Sequence, residues 1–128
     1  MKASRRQVIA GVAALGAASS GGFAMPATGT GMYGLIGKMR AKPGQRDTLV
    51  AILLEAVGEM PGCRSYVVAK DEEDADAIWI TEVWDSRESH RASLSMPAVR
   101  QAISKAKPLI AGFEESITTR PVGGHGLA

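Results

Sequence analysis

The side chains that could do chemistry in this sequence lie mostly in its second half. His90 is the one mid-domain group that takes up a proton near neutral pH without help from its surroundings. Glu82 stands between Ile80 and Trp84 in an otherwise apolar stretch, so burial would oblige its charge to find a partner. Lys38 or Arg40, on a neighbouring strand, are the cations expected to supply it. Tyr66, Trp79 and Trp84 offer aromatic faces with one polar edge each. With Glu82 and His90 they are the candidate lining of an apolar pocket suited to a flat, hydrophobic small molecule.

Other chemistries lack their parts. The two histidines, His90 and His125, are far apart in the chain and Cys63 is the only cysteine, so no metal-ligand spacing is present. Gly29-Thr30-Gly31 precedes a strand and does not make a phosphate-cradling loop. No nucleophile elbow supports a serine triad. Asp71 to Asp76 (DEEDAD) lacks the spacing and the glycine of a calcium loop and reads as a solvated hairpin link. A lone Cys63 permits no internal disulfide and reads as a small buried apolar residue.

The stretch Ala77–Leu94 must position these groups. Its first half alternates Ile78/Ile80/Glu82/Trp84 with Trp79/Thr81/Val83, both sets largely apolar, as expected of a strand buried on both faces. Its second half reads as a helix opening, with Asp85 as N-cap, Glu88 completing a capping box, and His90 and Leu94 on one inward face. Around it the pattern predicts a strand from Met32 to Ala41 and a helix from Gly44 to Met60 with Leu49, Ile52, Leu53, Ala56 and Met60 as its apolar stripe. A strand over Cys63–Lys70 and a final strand from Phe113 to Arg120 complete the set. The second helix is interrupted at Ser95-Met96-Pro97, where Ser95 can cap a further segment. The order β-α-β-β-α-β predicts an α+β, ferredoxin-like domain with both helices on one face of a four-stranded antiparallel sheet. The other face would then expose apolar side chains, and a second copy docked sheet to sheet would cover them.

The chain has 128 residues and reads as one domain with appendages. Residues 1–24 read as a cleaved export signal: a basic start (Lys2, Arg5, Arg6), the apolar run Val8–Ala18, and a small-residue exit at Ala24. Ser4-Arg5-Arg6 before a mildly apolar run predicts the twin-arginine route and a periplasmic or secreted destination. Residues 25–31 read as a flexible leader, 32–122 as the domain, and 123–128 as a glycine-rich tail. The signal holds three of the 15 basic residues and no acids, leaving 12 against 13 acidic ones in the remainder. That balance gives no reason to expect nucleic acid as a partner, and the apolar run is too short to leave a stable membrane insertion.

Lys42-Pro43-Gly44 after the first strand, Met60-Pro61-Gly62-Cys63 after the first helix, and the stretch Trp79 to Leu94 resemble the antibiotic biosynthesis monooxygenase (ABM) superfamily. Within it, the sequence is most similar to the branch named for quinol monooxygenases. The resemblance runs from Tyr33 to Val122 and implies a dimeric α+β barrel. It also implies oxygenation of electron-rich phenols or quinols without metal, flavin or haem, with a small aromatic substrate and a homodimer partner. His90 is then expected as the base, with Tyr66 and Trp84 as orienting groups. Gly37, Ser93 and Ile103 stand where the haem-degrading branch carries an Asn, a Trp and a His, which argues against haem degradation. A non-catalytic dimer that binds a small molecule or quinone, and a lyase or isomerase on the same fold, are the rival readings.

Overall fold

The computed structural model describes residues 31–58 and 60–127; the expected export signal and nearly all of the leader lie outside the described residues. In chain order the elements are strand β1 (Tyr33–Ala41), helix α1 (Arg46–Glu55), and strands β2 (Cys63–Lys70) and β3 (Ala77–Trp84). Helices α2 (Arg87–Ser93) and α3 (Pro97–Ala106), a 3-10 turn over Lys107–Leu109 and strand β4 (Ile110–Thr119) follow. The strands form one antiparallel sheet in the order β2-β3-β1-β4. This is the α+β, ferredoxin-like arrangement that the sequence pattern predicts, with the second helix divided into two.

The period of two along each strand sorts the side chains into two faces. On β3, Ile78, Ile80 and Trp84 are buried on the helix side. They join Ala41, Leu49, Ile52, Ala102 and Ala106 in the core, where each large aliphatic side chain contributes roughly 1.5–3 kcal/mol by leaving water. On the opposite face, Val67 pairs with Thr81, Thr81 with Ile36, and Ile36 with Ile117, a row that crosses the whole sheet. Val67 and Ile117 are exposed there. No helix covers that row, because both connections that carry helices pack on the other side.

Four local expectations are corrected. Ser86, not Asp85, caps α2: its backbone is extended and its Oγ accepts from Ser89 N at 3.0 Å. Asp85 N is already committed to Gly62 O at 2.8 Å, which keeps Asp85 at the corner of the sheet. Helix α1 ends at Glu55 rather than Met60, because the chain tightens after it, with Val57 N donating to Leu54 O. Met96, with no side-chain cap bond, precedes α3 in place of the expected Ser95. Strand β4 begins at Ile110, earlier than Phe113, because Ala41 at the end of β1 pairs with Ile110 and Lys42 N donates to Leu109 O at 2.8 Å.

The acidic link is built rather than merely solvated. Asp71 Oδ1 accepts from Glu73 N and Asp74 N, and Asp74 Oδ1 accepts from Asp76 N. Its carboxylates also bind Trp79 and Arg40 from the sheet.

Candidate active site

Between the sheet and the helices lies a cavity of about 570 Å³. Its walls are mainly apolar: Met39 and Phe113 from the sheet, Leu53 from α1, Leu94 at the end of α2, and Val99 and Ile103 from α3. A smaller chamber of about 210 Å³ continues toward β4, past Leu35, Ser116 and Thr118. Both chambers are bordered by Met39, Glu82, His90, Leu94 and Phe113. The polar groups of the site therefore stand at the waist between two apolar spaces.

Local chain geometry puts them there. Only two residues separate β3 from α2, so the helix folds back at once over the strand that precedes it. Gly62 lets the helix come close: its φ is +87°, and a Cβ there would meet Ser89 Oγ at 2.5 Å. The turn delivers His90 inward, 7% exposed. The Trp84 ring meets the imidazole edge-on, with centroids 5.4 Å apart, and the Tyr33 ring lies 5.5 Å away on its other neighbour strand. Arg87 stacks over Tyr33 at 5.0 Å.

Glu82 and His90 are the titratable pair. His90 Nε2 lies 4.0 Å from Glu82 Oε1, and the same oxygen accepts from Trp84 Nε1 at 2.8 Å. Burial raises the Glu82 pKa above the usual carboxylate value, with the Trp84 N–H opposing it. Burial lowers the His90 pKa, and the positive charges of Arg87 and Arg91 lower it further. Tyr66 sits directly across β2 from Glu82. Its phenol is pushed well above its ordinary value by burial and then by the Glu82 charge, so it stays protonated. Among the described residues, no group of three or more His, Cys, Asp or Glu side chains could hold a metal ion.

Of the five expected site residues, the fold brings Tyr66, Glu82, Trp84 and His90 to one cavity. It places Trp79 elsewhere. Trp79 follows Ile78 on the strand and so points to the uncovered face, where its Nε1 donates to Asp71 Oδ2 at 2.8 Å and Lys38 lies over its ring. The expected pairing of Glu82 with Lys38 or Arg40 is also corrected. Lys38 is opposite Trp79 in the register, and both cations therefore project from the face opposite to Glu82. There Lys38 approaches Glu114, and Arg40 engages Asp74 and Glu114.

Sequence reasoning missed Tyr33 and Phe113. Tyr33 is 4% exposed and pairs with Trp84 across β1 and β3, a partnership visible only once the register is known. Phe113 enters both chambers through the irregular pairing of β1 with β4 between Lys38 and Met39. Ser93 and Ile103 line the larger chamber and Gly37 the smaller. None of the three offers an imidazole to haem iron.

Comparison with known proteins agrees with this architecture. Residues 32–105 match the family model described as antibiotic biosynthesis monooxygenase. A Chloroflexus aurantiacus J-10-fl structure, assigned by name to the antibiotic biosynthesis monooxygenases, is 67% identical, with a TM-score of 0.74 over 76% of this chain and 99% of that one. A Caulobacter crescentus CB15 structure named in the same way is 15% identical over 75% and 92% of the two chains, with a TM-score of 0.63. A Mycobacterium tuberculosis structure is 18% identical over 73% and 98%, with a TM-score of 0.62; these two share the fold. No functionally curated protein matches the sequence. The matched residues include the whole of β1, β2, β3 and α2, and the chain belongs to the antibiotic biosynthesis monooxygenase family.

Proposed function

We propose that this protein is a cofactor-independent monooxygenase that oxidises electron-rich phenols or quinols to quinones with dioxygen. Membership of the family supports a monooxygenase-type function. The observation that carries the finer reading is the Glu82–His90 pair at the waist of an otherwise apolar cavity large enough for a flat aromatic ring.

The chemistry asks little else of the protein. A phenol that loses its proton becomes an electron-rich phenolate, which passes one electron to dioxygen. The resulting phenoxyl radical and superoxide recombine to a ring peroxide. Loss of water from that peroxide leaves a new carbonyl. One oxygen atom enters the product and the other leaves as water, with all four electrons supplied by the substrate. The cavity contributes a group to take the proton and walls that keep the radical pair together and water out. Tyr66 and Trp84 flank the site of proton transfer and orient the ring.

The same reading includes a homodimer joined through the uncovered sheet face, and export to the periplasm or beyond. Oxygen uptake with hydroquinone tests the central claim. One oxygen atom from labelled dioxygen should appear in the product, and the rate should be unchanged by a chelator. Absence of uptake across a panel of hydroquinones and naphthols would overturn it.

A further inference from the structure

The two nitrogens of His90 stand in different surroundings. Nδ1 is buried and has no hydrogen-bond partner, whereas Nε2 lies 4.0 Å from the Glu82 carboxylate at the border of both chambers. A neutral imidazole carries one N–H. On Nδ1 that hydrogen would be a buried donor with nothing to receive it; on Nε2 it stands at the border of the chambers, 4.0 Å from a Glu82 oxygen, and Nδ1 is left with only a lone pair. An orphaned buried N–H is the costlier arrangement. The neutral ring is therefore the Nε2–H tautomer, and the nitrogen beside Glu82 has no lone pair to offer a substrate.

Glu82 has what that nitrogen lacks. Its side chain is 17% exposed and borders both chambers, and Trp84 Nε1 anchors one carboxylate oxygen at 2.8 Å. We propose that Glu82 is the proton acceptor of this cavity, and that His90 works beside it as a neutral donor through Nε2–H, holding the oxygen from which the proton leaves. This assignment rests on reading the cavity as a site for phenols. In the step itself the phenol O–H bond breaks, the proton passes to the Glu82 carboxylate, and the electron pair stays on oxygen as phenolate, held by His90 Nε2–H.

Charge accounting in a desolvated space favours this division. With Glu82 as acceptor, one negative charge moves from carboxylate to phenolate and none is created. With His90 as acceptor, two neutral groups become a buried ion pair, and Arg87 and Arg91 on the same helix already disfavour an imidazolium. The other groups around the carboxylate do not compete. Tyr33 on β1 and Cys63 and Tyr66 on β2 are all raised by burial and keep their protons. Lys107 stands at the wall of the larger chamber; Lys38 and Glu115 border the smaller one, but their register turns both side chains to the opposite face of the sheet from Glu82. Burial raises Glu82 toward neutrality, which suits a general base.

Histidine-selective ¹⁵N labelling tests the assignment without any turnover, because the chain has two histidines and His125→Ala identifies the other. Near neutral pH, His90 should be the Nε2–H tautomer, and ¹³C shifts should show Glu82 titrating above the ordinary carboxylate range. An Nδ1–H tautomer, or an imidazolium at neutral pH, would overturn the proposal. With hydroquinone as substrate, the rate should rise with pH as Glu82 loses its proton, and Glu82→Gln should lose roughly 10²-fold or more in rate together with that rising limb. His90→Gln should slow turnover while keeping that limb, and Glu82→Asp should restore part of it. A limb that survives Glu82→Gln and vanishes in His90→Gln would reverse the roles. Should the wild type consume no oxygen while the spectra are as expected, the oxygenase reading fails and the neutral Nε2–H tautomer beside a titrating Glu82 stands.

Discussion

Trp84 Nε1 donates a 2.8 Å hydrogen bond to Oε1 of Glu82, two residues earlier on the same face of β3. Both side chains point to the helices, and the indole closes the floor of the cavity at 1% exposure. The bond satisfies the one polar atom of a buried tryptophan and steadies a carboxylate that would otherwise stand nearly alone among apolar walls. A residue that looks like a substrate platform in the sequence is also the device that holds the acid in place.

Trp84→Phe isolates that bond. The loss of a ring and of the hydrogen bond to Glu82 should cost about 2–4 kcal/mol of stability, read from urea denaturation at fixed pH. With the N–H gone, the proton affinity of Glu82 should rise and move the rising limb of activity to higher pH. An unchanged limb would mean that the carboxylate has another anchor.

Opposite slopes of stability against pH are expected from the pair. The folded-state pKa of Glu82 is raised, so its contribution is fully present below its unfolded value, about 4.5, and is lost as pH rises through the folded value. His90 is depressed, so its contribution is present above its unfolded value, about 6.5, and is lost as pH falls through the folded one. His90→Gln should leave a stability that declines with rising pH. Glu82→Gln should leave one that declines with falling pH. Denaturation midpoints across the range check both, and parallel curves would show that neither group is perturbed.

The uncovered sheet face gives a prediction about assembly. Thr81 lies at the centre of the row Val67–Thr81–Ile36–Ile117, and a docked second copy would bury it. Thr81→Arg should convert a dimer to a monomer in sedimentation velocity at micromolar concentration, with little change in the monomer's fold. A wild-type chain that sediments as a monomer would remove the dimer from the proposed function.

Leu49 is fully buried at the centre of α1. Leu49→Ala should cost roughly 2–5 kcal/mol, and thermal unfolding should show it. A cost below 1 kcal/mol would mean that the neighbouring side chains collapse into the space.

The proposed export is tested at residues that the sequence alone describes. Replacing Arg5 and Arg6 together by Lys should strand the precursor in the cytoplasm if the twin-arginine route is used. Fractionation and immunoblotting read the outcome, and normal export of the variant would exclude that route.

By itself the sequence determined the order of elements and the faces within each one. The alternation along Ala77–Trp84 and the turn signals at Lys42-Pro43-Gly44 and Pro61-Gly62 are local, since backbone sterics and side-chain periodicity act over a few residues. The same is true of the inward turn of His90, which follows from a helix that starts at once after a buried strand. What the tertiary structure decided was the side of the sheet on which the helices lie, and hence which alternate set faces the cavity. That choice gave the cavity to Glu82 and Trp84 rather than to Trp79, and the register put Lys38 and Arg40 on the other face with Trp79. It also fixed the register that sets Tyr33 against Trp84 and His90. Register and layer are properties of distant segments in contact, and burial energy is realised only when those segments meet.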